Sequence, residues 1–534
     1  MDRRPVFAIF EGGGARGVAH VGAVAAAEDL DFRFMGVAGA SAGALVAALV
    51  AAGFHARQIL DPANPAENIV RRYGETVPGL LDKTDWRRFN RLRRRASWLS
   101  RAILLGGVPL GALVSPRALW AARHIIAGRG RLSTETLRTF LDRVLRDQVV
   151  KVWRANGVAD DPPARVTFAH LDFERFREFV PLKIVATDIT THELCVFSQA
   201  TTPDVEVAQA VAASVAIPLV FKPVQLQRKG RVGDYVDGGL VSNLPVWIFA
   251  NEKLAVERAF FRKPPIPVVG FTLRDPNPPR SRRDLIGFLA DVGETALTGS
   301  QSIAQDFLQD LTVVPLPCTL DLLAFDASEA DMLKAFEHGR AAAHQALRGR
   351  LILRPQLVRE ELARIHNRLR PVLKAHFGRR ARGRWLLRES VIEKVGDDAF
   401  RVAYGHNMDS DADDRLPLDG RGPASPAAYK SRDMQLAHFG ARWSPPERDY
   451  MTKYERALAH PKLRSIIAVP IFPSEAAWAL DLAERPEPCG VFAIDSDLDL
   501  STAFDDPDIF QLLATQSTLL YPLLTQEPTL GDAT

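Results

Sequence analysis

The first 55 residues alternate between short apolar runs and alanine-rich helical stretches. Residues 6–10 read as a buried strand, followed by a glycine cluster and a helix over about 17–30. A second short strand spans 34–38, and Ser41 opens a second helix reaching about Ala52. Strand, turn and helix repeated in this way imply a parallel sheet covered by helices on both faces. Between about 60 and 165 the pattern is helical, basic and irregular. Strand signals return at 182–186, 194–198, 231–236, 267–273 and 311–316, with helices expected at 204–216, 282–310 and 328–348. From Leu351 the character changes. Residues 355–377 form a charged amphipathic helix, and a smaller β-rich region follows, closing with a helix at about 507–522. The boundary between two domains, 1–350 and 355–530, is expected near 350–355. Residues 409–427, rich in Asp, Gly and Pro, read as a loop.

Composition narrows the possible classes. Of 534 residues 47% are hydrophobic and 25% charged, which excludes collagenous, coiled-coil and wholly disordered chains. The 68 basic and 64 acidic residues leave +4, so no nucleic-acid partner is expected. Cys195, Cys318 and Cys489 are too dispersed for a disulfide framework or a zinc site, which fits a reducing compartment. The start of the chain is too short in apolar residues for a signal peptide. The longest apolar run, 40–54, is broken by Gly43 and Gly53 and falls short of the ~20 residues that span a bilayer. A cytoplasmic protein is expected, with any membrane contact peripheral.

The chemistry is concentrated near the N-terminus. Gly39-Ala40-Ser41-Ala42-Gly43 is a G-x-S-x-G stretch between strand and helix. A nucleophile at the tip of such a turn sits in a strained backbone, and small residues on either side let the chain reverse sharply. It also lies at a helix N-terminus, where the macrodipole favours developing negative charge. Glu11-Gly12-Gly13-Gly14-Ala15-Arg16-Gly17 follows the first strand and opens the first helix. Successive glycine amides can converge on an anion, and in an acyl hydrolase that anion is the tetrahedral oxyanion. Gly12, Gly14 and Gly17 also satisfy the dinucleotide pattern G-x-G-x-x-G, which expects an acidic residue ending the second strand. Here that strand ends in Gly39-Ala40-Ser41, while Glu28, Asp29 and Asp31 come before it, so the dinucleotide reading is disfavoured.

A serine nucleophile needs a base. His338 and His344 fall on a predicted surface helix with no turn chemistry around them, and His20 and His55 read as surface or packing residues. Asp237, in Tyr235-Val236-Asp237-Gly238-Gly239-Leu240, ends a strand and is followed by two glycines that permit close backbone approach. Acting alone as base, it would need partial desolvation to raise its proton affinity.

Together these pieces resemble the patatin-like phospholipases. The resemblance covers about residues 5–350. It rests on EGGGARG, GASAG, the following ALVAALVAAG, VAASVAIPLVFKPV at 211–224 and DGGLVSNLPV at 237–246, in order and spacing. It implies a three-layer α/β/α fold with a mostly parallel sheet and a Ser–Asp dyad without histidine. The dyad maps onto Ser41 and Asp237, the oxyanion loop onto Gly12, Gly13 and Gly14 with Arg16 beside it, and the elbow glycines onto Gly39 and Gly43. The implied reaction is hydrolysis of phospholipid or other acyl-ester lipids, of phospholipase A or lysophospholipase type, through an acyl-serine, with no metal or organic cofactor. Glu11 departs from the aspartate of many members.

Two further regions carry expectations. Within 85–107, Arg87, Arg88, Arg91, Arg93, Arg94, Arg95 and Arg101 interleave with Trp86, Phe89, Leu92, Trp98, Leu99 and Ile103. Such a stretch, from Trp86 to Ile103, suits either an anionic membrane surface or a solvated helix capping the site. The C-terminal region resembles a GAF domain, an α+β fold, through Arg464-Ser465-Ile466-Ile467-Ala468-Val469-Pro470, Cys489-Gly490-Val491-Phe492-Ala493-Ile494-Asp495 and Phe504-Asp505-Asp506-Pro507-Asp508. That resemblance implies a small-molecule ligand or homodimerisation. Nucleotide-binding members carry an Asn-Lys pair before the Phe-Asp-Glu stretch, whereas Ser501, Thr502 and Ala503 precede Phe504 here. Asp409, Asp411 and Asp413 begin like an EF-hand, but Asp414 and Gly420 replace its glycine and glutamate. The expected protein is thus a lipid acyl hydrolase with a sensory or dimerising module. The rival is a non-enzymatic nucleotide-binding or scaffold protein in which Ser41 merely caps a helix.

Overall fold

The computed structural model describes residues 4–64, 67–75, 79–80, 132–218, 220–228, 230–252, 266–276, 311–383, 385–396, 398–408, 417–439, 460 and 462–527. The basic stretch at 85–107, the helix expected at 282–310 and Asp409, Asp411, Asp413 and Asp414 lie outside the described residues. Two compact units divide the chain: Met1–Lys253 with Pro265–Gln345, and Leu254–Pro264 with Ala346–Thr534.

The first unit is built on β1 (Arg4–Phe10), α1 (Val18–Asp29), β2 (Phe32–Gly39), α2 (Ala42–Ala51), α3 (Glu135–Ala155), β3 (Leu182–Asp188), β4 (Glu193–Ser198), α4 (Val207–Ser214), β5 (Val224–Arg228), β6 (Arg231–Asp237), β7 (Val268–Arg274), β8 (Leu311–Pro317) and α5 (Glu329–Arg348). Among the described residues its eight strands make one sheet, ordered β5-β6-β3-β2-β1-β7-β8, with β4 also paired to β3. The β3-β2-β1-β7-β8 portion is parallel. The β3–β4, β3–β6 and β5–β6 pairs are antiparallel. The sheet is therefore mostly parallel but mixed. β5 was not expected from the pattern: only Leu226 of its five residues is buried, so this edge strand carries little apolar signal.

β1 is central, and every residue from Val6 to Phe10 is buried, as a strand covered on both faces requires. Phe10 packs edge-on against His20 of α1. Phe7, three residues earlier and so on the opposite face, stacks on Phe249 with ring centroids 4.9 Å apart. α1 packs closely on α5 through glycine. A Cβ at Gly22 would lie 2.1 Å from the Phe336 carbonyl oxygen, and one at Gly339 would lie 2.4 Å from that of Ala19. Neither carbonyl can withdraw without moving a helix.

The second unit has α6 (Arg354–Phe377), β9 (Leu387–Gly396), β10 (Ala399–His406), β11 (Pro417–Asp419), α7 (Ser425–Ser431), β12 (Gln435–His438), β13 (Ser465–Pro470), β14 (Val491–Ser496) and α8 (Pro507–Thr518). Its sheet, ordered β11-β10-β9-β14-β13-β12, is antiparallel throughout. Leu362, Ile365 and Leu369 of α6 and Ile509 and Leu513 of α8 share one core with Val391, Ile467 and Phe492. Ala428 of α7 packs with Ile392, Ala468 and Ala493 on the other face. The loop expected over 409–427 is corrected at its C-terminal end. Pro417–Asp419 extends the sheet and Ser425 begins α7, because pairing with β10 and burial of Ala424 and Ala428 override the turn-prone composition. No helix among the described residues is long and apolar enough to cross a membrane.

Gly22→Ala is expected to destabilise the protein by about 1–3 kcal/mol through overpacking of α1 on α5, read from chemical denaturation.

Candidate active site

One edge of β3 serves two strands. Gly39, the last residue of β2, pairs with Ile184, and Asp237, the last residue of β6, pairs with Ala186. β2 and β6 run towards each other along this edge because one is parallel to β3 and the other antiparallel. Their C-terminal ends face across a short gap, and Ser41 and Asp237 fall in it.

Ser41 adopts φ 50° and ψ −124°, a conformation that costs a non-glycine residue about 1–3 kcal/mol. Packing enforces the turn. A Cβ on Gly39 would lie 2.3 Å from the Gly43 carbonyl, and one on Gly43 would lie 2.2 Å from the Phe10 oxygen, so larger residues cannot flank the serine. The Ser41 amide donates to Ser214 Oγ at 2.9 Å, and that hydroxyl donates to the Val185 carbonyl at 2.7 Å. Ser214, fully buried at the end of α4, thereby ties the strained turn to β3.

Asp237 lies close enough to Ser41 for the serine side chain to favour its ionised carboxyl. Asp237 Oδ1 accepts the Gly239 amide at 2.8 Å, and its backbone is held by Thr187 Oγ1 and the Ala216 carbonyl. Burial pushes the Asp237 carboxyl from 3.8 up to about 6, against the opposing hydrogen bonds from Ser41 and Gly239.

The glycine loop lies beside this pair. A Cβ on Gly12 would meet Ser41 Cβ at 3.0 Å and Asn243 Oδ1 at 2.4 Å. The Gly12 amide is already engaged, donating to the Asn243 carbonyl at 3.2 Å. Gly12 lies close to Ser41, and among the described residues the Gly13 and Gly14 amides are not engaged. Arg16 clamps the loop from its far side, Nε donating to the Leu320 carbonyl at 2.8 Å, while the Ala15 amide donates to that of Leu322 at 2.9 Å.

Residues 8–250 match the family profile described as Patatin-like phospholipase. They form a patatin-like phospholipase domain. An uncharacterised protein of Bacillus subtilis, YqhO, is 26% identical over 330 residues, covering 60% of this chain and 89% of the relative. Among solved structures, VipD from Legionella pneumophila aligns with a TM-score of 0.32 at 17% identity, covering 65% of this chain and 67% of that one. ExoU of Pseudomonas aeruginosa, in its complex with SpcU, aligns at 0.33 and 18%, covering 66% of this chain and about half, 52%, of that one.

Two supporting residues of the patatin-like domain, Asn243 and Ser214, escaped the sequence reading. Asn243 Nδ2 donates to Glu11 Oε1 at 3.0 Å and lies 3.3 Å from the Gly12 carbonyl, joining the two ends of the motif set. The buried Glu11 carboxylate also accepts the Leu273 amide, so it braces the glycine loop. His20 is turned to the Glu11 carbonyl at 2.8 Å, and burial pushes its pKa down to about 4. Asn243 and Ser214 both fall in the stretches that carry the family resemblance, but nothing in their spacing distinguishes them there. Of the other histidines considered, His55 pairs with Glu28, and His338 is exposed on α5.

Removing the Asp237 charge should stabilise the domain above pH 6. There the carboxyl is ionised in both folded and unfolded chains, and the folded state bears the cost of burying it, about 3 kcal/mol. As pH falls from about 6 towards 4, the folded state takes up its proton first and this cost disappears. Asp237→Asn is therefore expected to exceed wild type in stability at pH 7–8 and to lose that advantage by pH 4, as read by urea denaturation across pH.

Proposed function

We propose that the N-terminal unit is a serine lipid acyl hydrolase, of phospholipase A or lysophospholipase type, using Ser41 and Asp237 as a dyad. The observation that carries this reading is Ser41, on its strained turn, beside a buried carboxylate of raised pKa, with Gly12 of the glycine loop packed against the serine. Asp237 takes the hydroxyl proton as Ser41 Oγ attacks the ester carbonyl, and the loop amides receive the oxyanion. The tetrahedral intermediate collapses to acyl-serine, and the departing alcohol takes the proton back from Asp237. Water then gives a proton to Asp237 and attacks the acyl-serine. A second collapse releases the fatty acid and restores the Ser41 hydroxyl with that proton. The Ser41 proton leaves with the alcohol, water supplies its replacement, and Asp237 ends each half-reaction ionised as it began.

A lipid rather than a polar ester is supported by the rim. Leu240 and Val241, directly after the Asp237-Gly238-Gly239 turn, are 42% and 45% exposed, giving acyl chains an apolar approach. For the C-terminal unit the proposal is a GAF-like module that regulates hydrolysis. The antiparallel sheet with helices on both faces supports that reading, and comparing the full chain with one ending near residue 350 tests the regulation.

Hydrolysis of a short-chain ester and of mixed phospholipid vesicles should fall at least ~1,000-fold in Ser41→Ala and in Asp237→Asn. A fluorophosphonate probe should label Ser41 in wild type. Hydrolysis that survives Ser41→Ala would overturn the assignment, and a folded protein that neither hydrolyses nor labels would favour the scaffold reading. The base must be ionised, so kcat/KM should drop about tenfold per pH unit below about pH 6 and level off above it.

A further inference from the structure

The second unit contains a constellation that ester hydrolysis does not use. Glu389 on β9 and His406 on β10 are direct cross-strand partners, so both side chains stand on the same face of the sheet. Leu387 and Val391, flanking Glu389 at two-residue spacing, belong to the core beneath α6, which fixes that face as the one the helix covers. His366 comes down from α6, with Nδ1 2.8 Å and 3.0 Å from the two Glu389 oxygens. Glu389 is completely buried, His366 nearly so, and His406 is half-buried. Asn407, with φ 61°, donates to the Leu387 carbonyl at 3.2 Å and holds the end of β10 beside the start of β9.

We propose that His366, Glu389 and His406 form a binding site for a first-row divalent metal ion of the zinc class. One ligand atom from each residue falls within 4.8 Å of the others. Zinc holds nitrogen and oxygen donors at about 2.0–2.1 Å, which places two tetrahedral ligands roughly 3.4 Å apart. His366 and Glu389 stand 2.8 Å apart, and the ligand atom of His406 lies within 4.8 Å of both.

An ion pair alone would account for His366 and Glu389. A second imidazole, His406, stands opposite the same carboxylate, its ring centroid 5.1 Å from that of His366 and tilted by 58°. Two imidazoles and a carboxylate suit zinc better than calcium or magnesium, which prefer oxygen-only shells. Three protein ligands leave a fourth position for water or a small anionic ligand, and the half-buried His406 marks the accessible side. The bound ion would tie α6, β9 and β10 together.

The test uses the full chain, stripped with a chelator and titrated with zinc chloride against a chromophoric competitor. Wild type should take up one equivalent. His406→Ala should weaken binding by at least the roughly 10–100-fold typical of lost supporting groups around a metal. Glu389→Gln, which keeps the side-chain shape, should do the same, and circular dichroism would establish that both variants are folded. Cobalt(II) in place of zinc should give wild type the intense visible absorption of a four-coordinate ion, absent from His406→Ala. Zinc should also raise the melting temperature of wild type and not of the variants. Less than one equivalent on wild type, or unchanged affinity in folded His406→Ala, would overturn the proposal and leave a buried His–Glu pair with a neighbouring imidazole.

Discussion

The candidate active site depends on a shortage of room along one edge of β3. β2 arrives parallel to it and stops at Gly39; β6 arrives antiparallel and stops at Asp237, paired only two residues further on. Neither strand can continue without entering the other's place, so each chain must leave the sheet at that point. The chain leaving β2 does so through a turn so tight that Ser41 takes a positive φ. The chain leaving β6 does so through Gly238-Gly239, where a Cβ on Gly238 would come within 2.2 Å of the Val185 carbonyl. A hydroxyl and a carboxylate are thereby brought together from positions 196 residues apart in sequence.

Holding that meeting point requires polar groups with little access to water. The strained Ser41 amide is tied through Ser214 to Val185, while Asn243 and Glu11 lace the glycine loop to the segment that follows Asp237. These bonds satisfy groups that would each cost about 1–3 kcal/mol if buried without partners. They also hold Gly12 against Ser41. The raised proton affinity of Asp237 follows from the same enclosure: burial penalises its charge in the folded state.

The second unit also places charge inside its sheet layers. Arg388 and Glu389 are neighbours on β9 and point to opposite faces. Arg388 pairs with Asp495 of β14 at 2.8 Å, and Glu389 meets His366 and His406. Strand alternation turns two adjacent charged residues into two separate buried sites, each supplied by a different partner element. Such groups are costly to bury unless paired, which makes this strand a place where register is strongly specified.

Much of the patatin-like domain was legible in the chain. The buried runs that became β1, β2, β3 and β7 are continuous and apolar, and the helices behind Gly17 and Ser41 follow from alanine-rich stretches after glycine turns. The G-x-S-x-G spacing marked Ser41 because small neighbours at fixed offsets are a local requirement of the turn. Local pattern could not show β5, whose residues are mostly solvated, nor the short strand and helix within the acidic region after 409. Sequence alone also could not decide which amides of the glycine loop stay unpaired, that Ser214 and Asn243 brace the site, or that His366, Glu389 and His406 converge. Those depend on contacts between residues from 17 to more than two hundred positions apart. A turn or an amphipathic face is decided by neighbours in the chain, whereas a hydrogen-bond partner or a ligand set is decided by which strand edge or helix face the fold brings alongside.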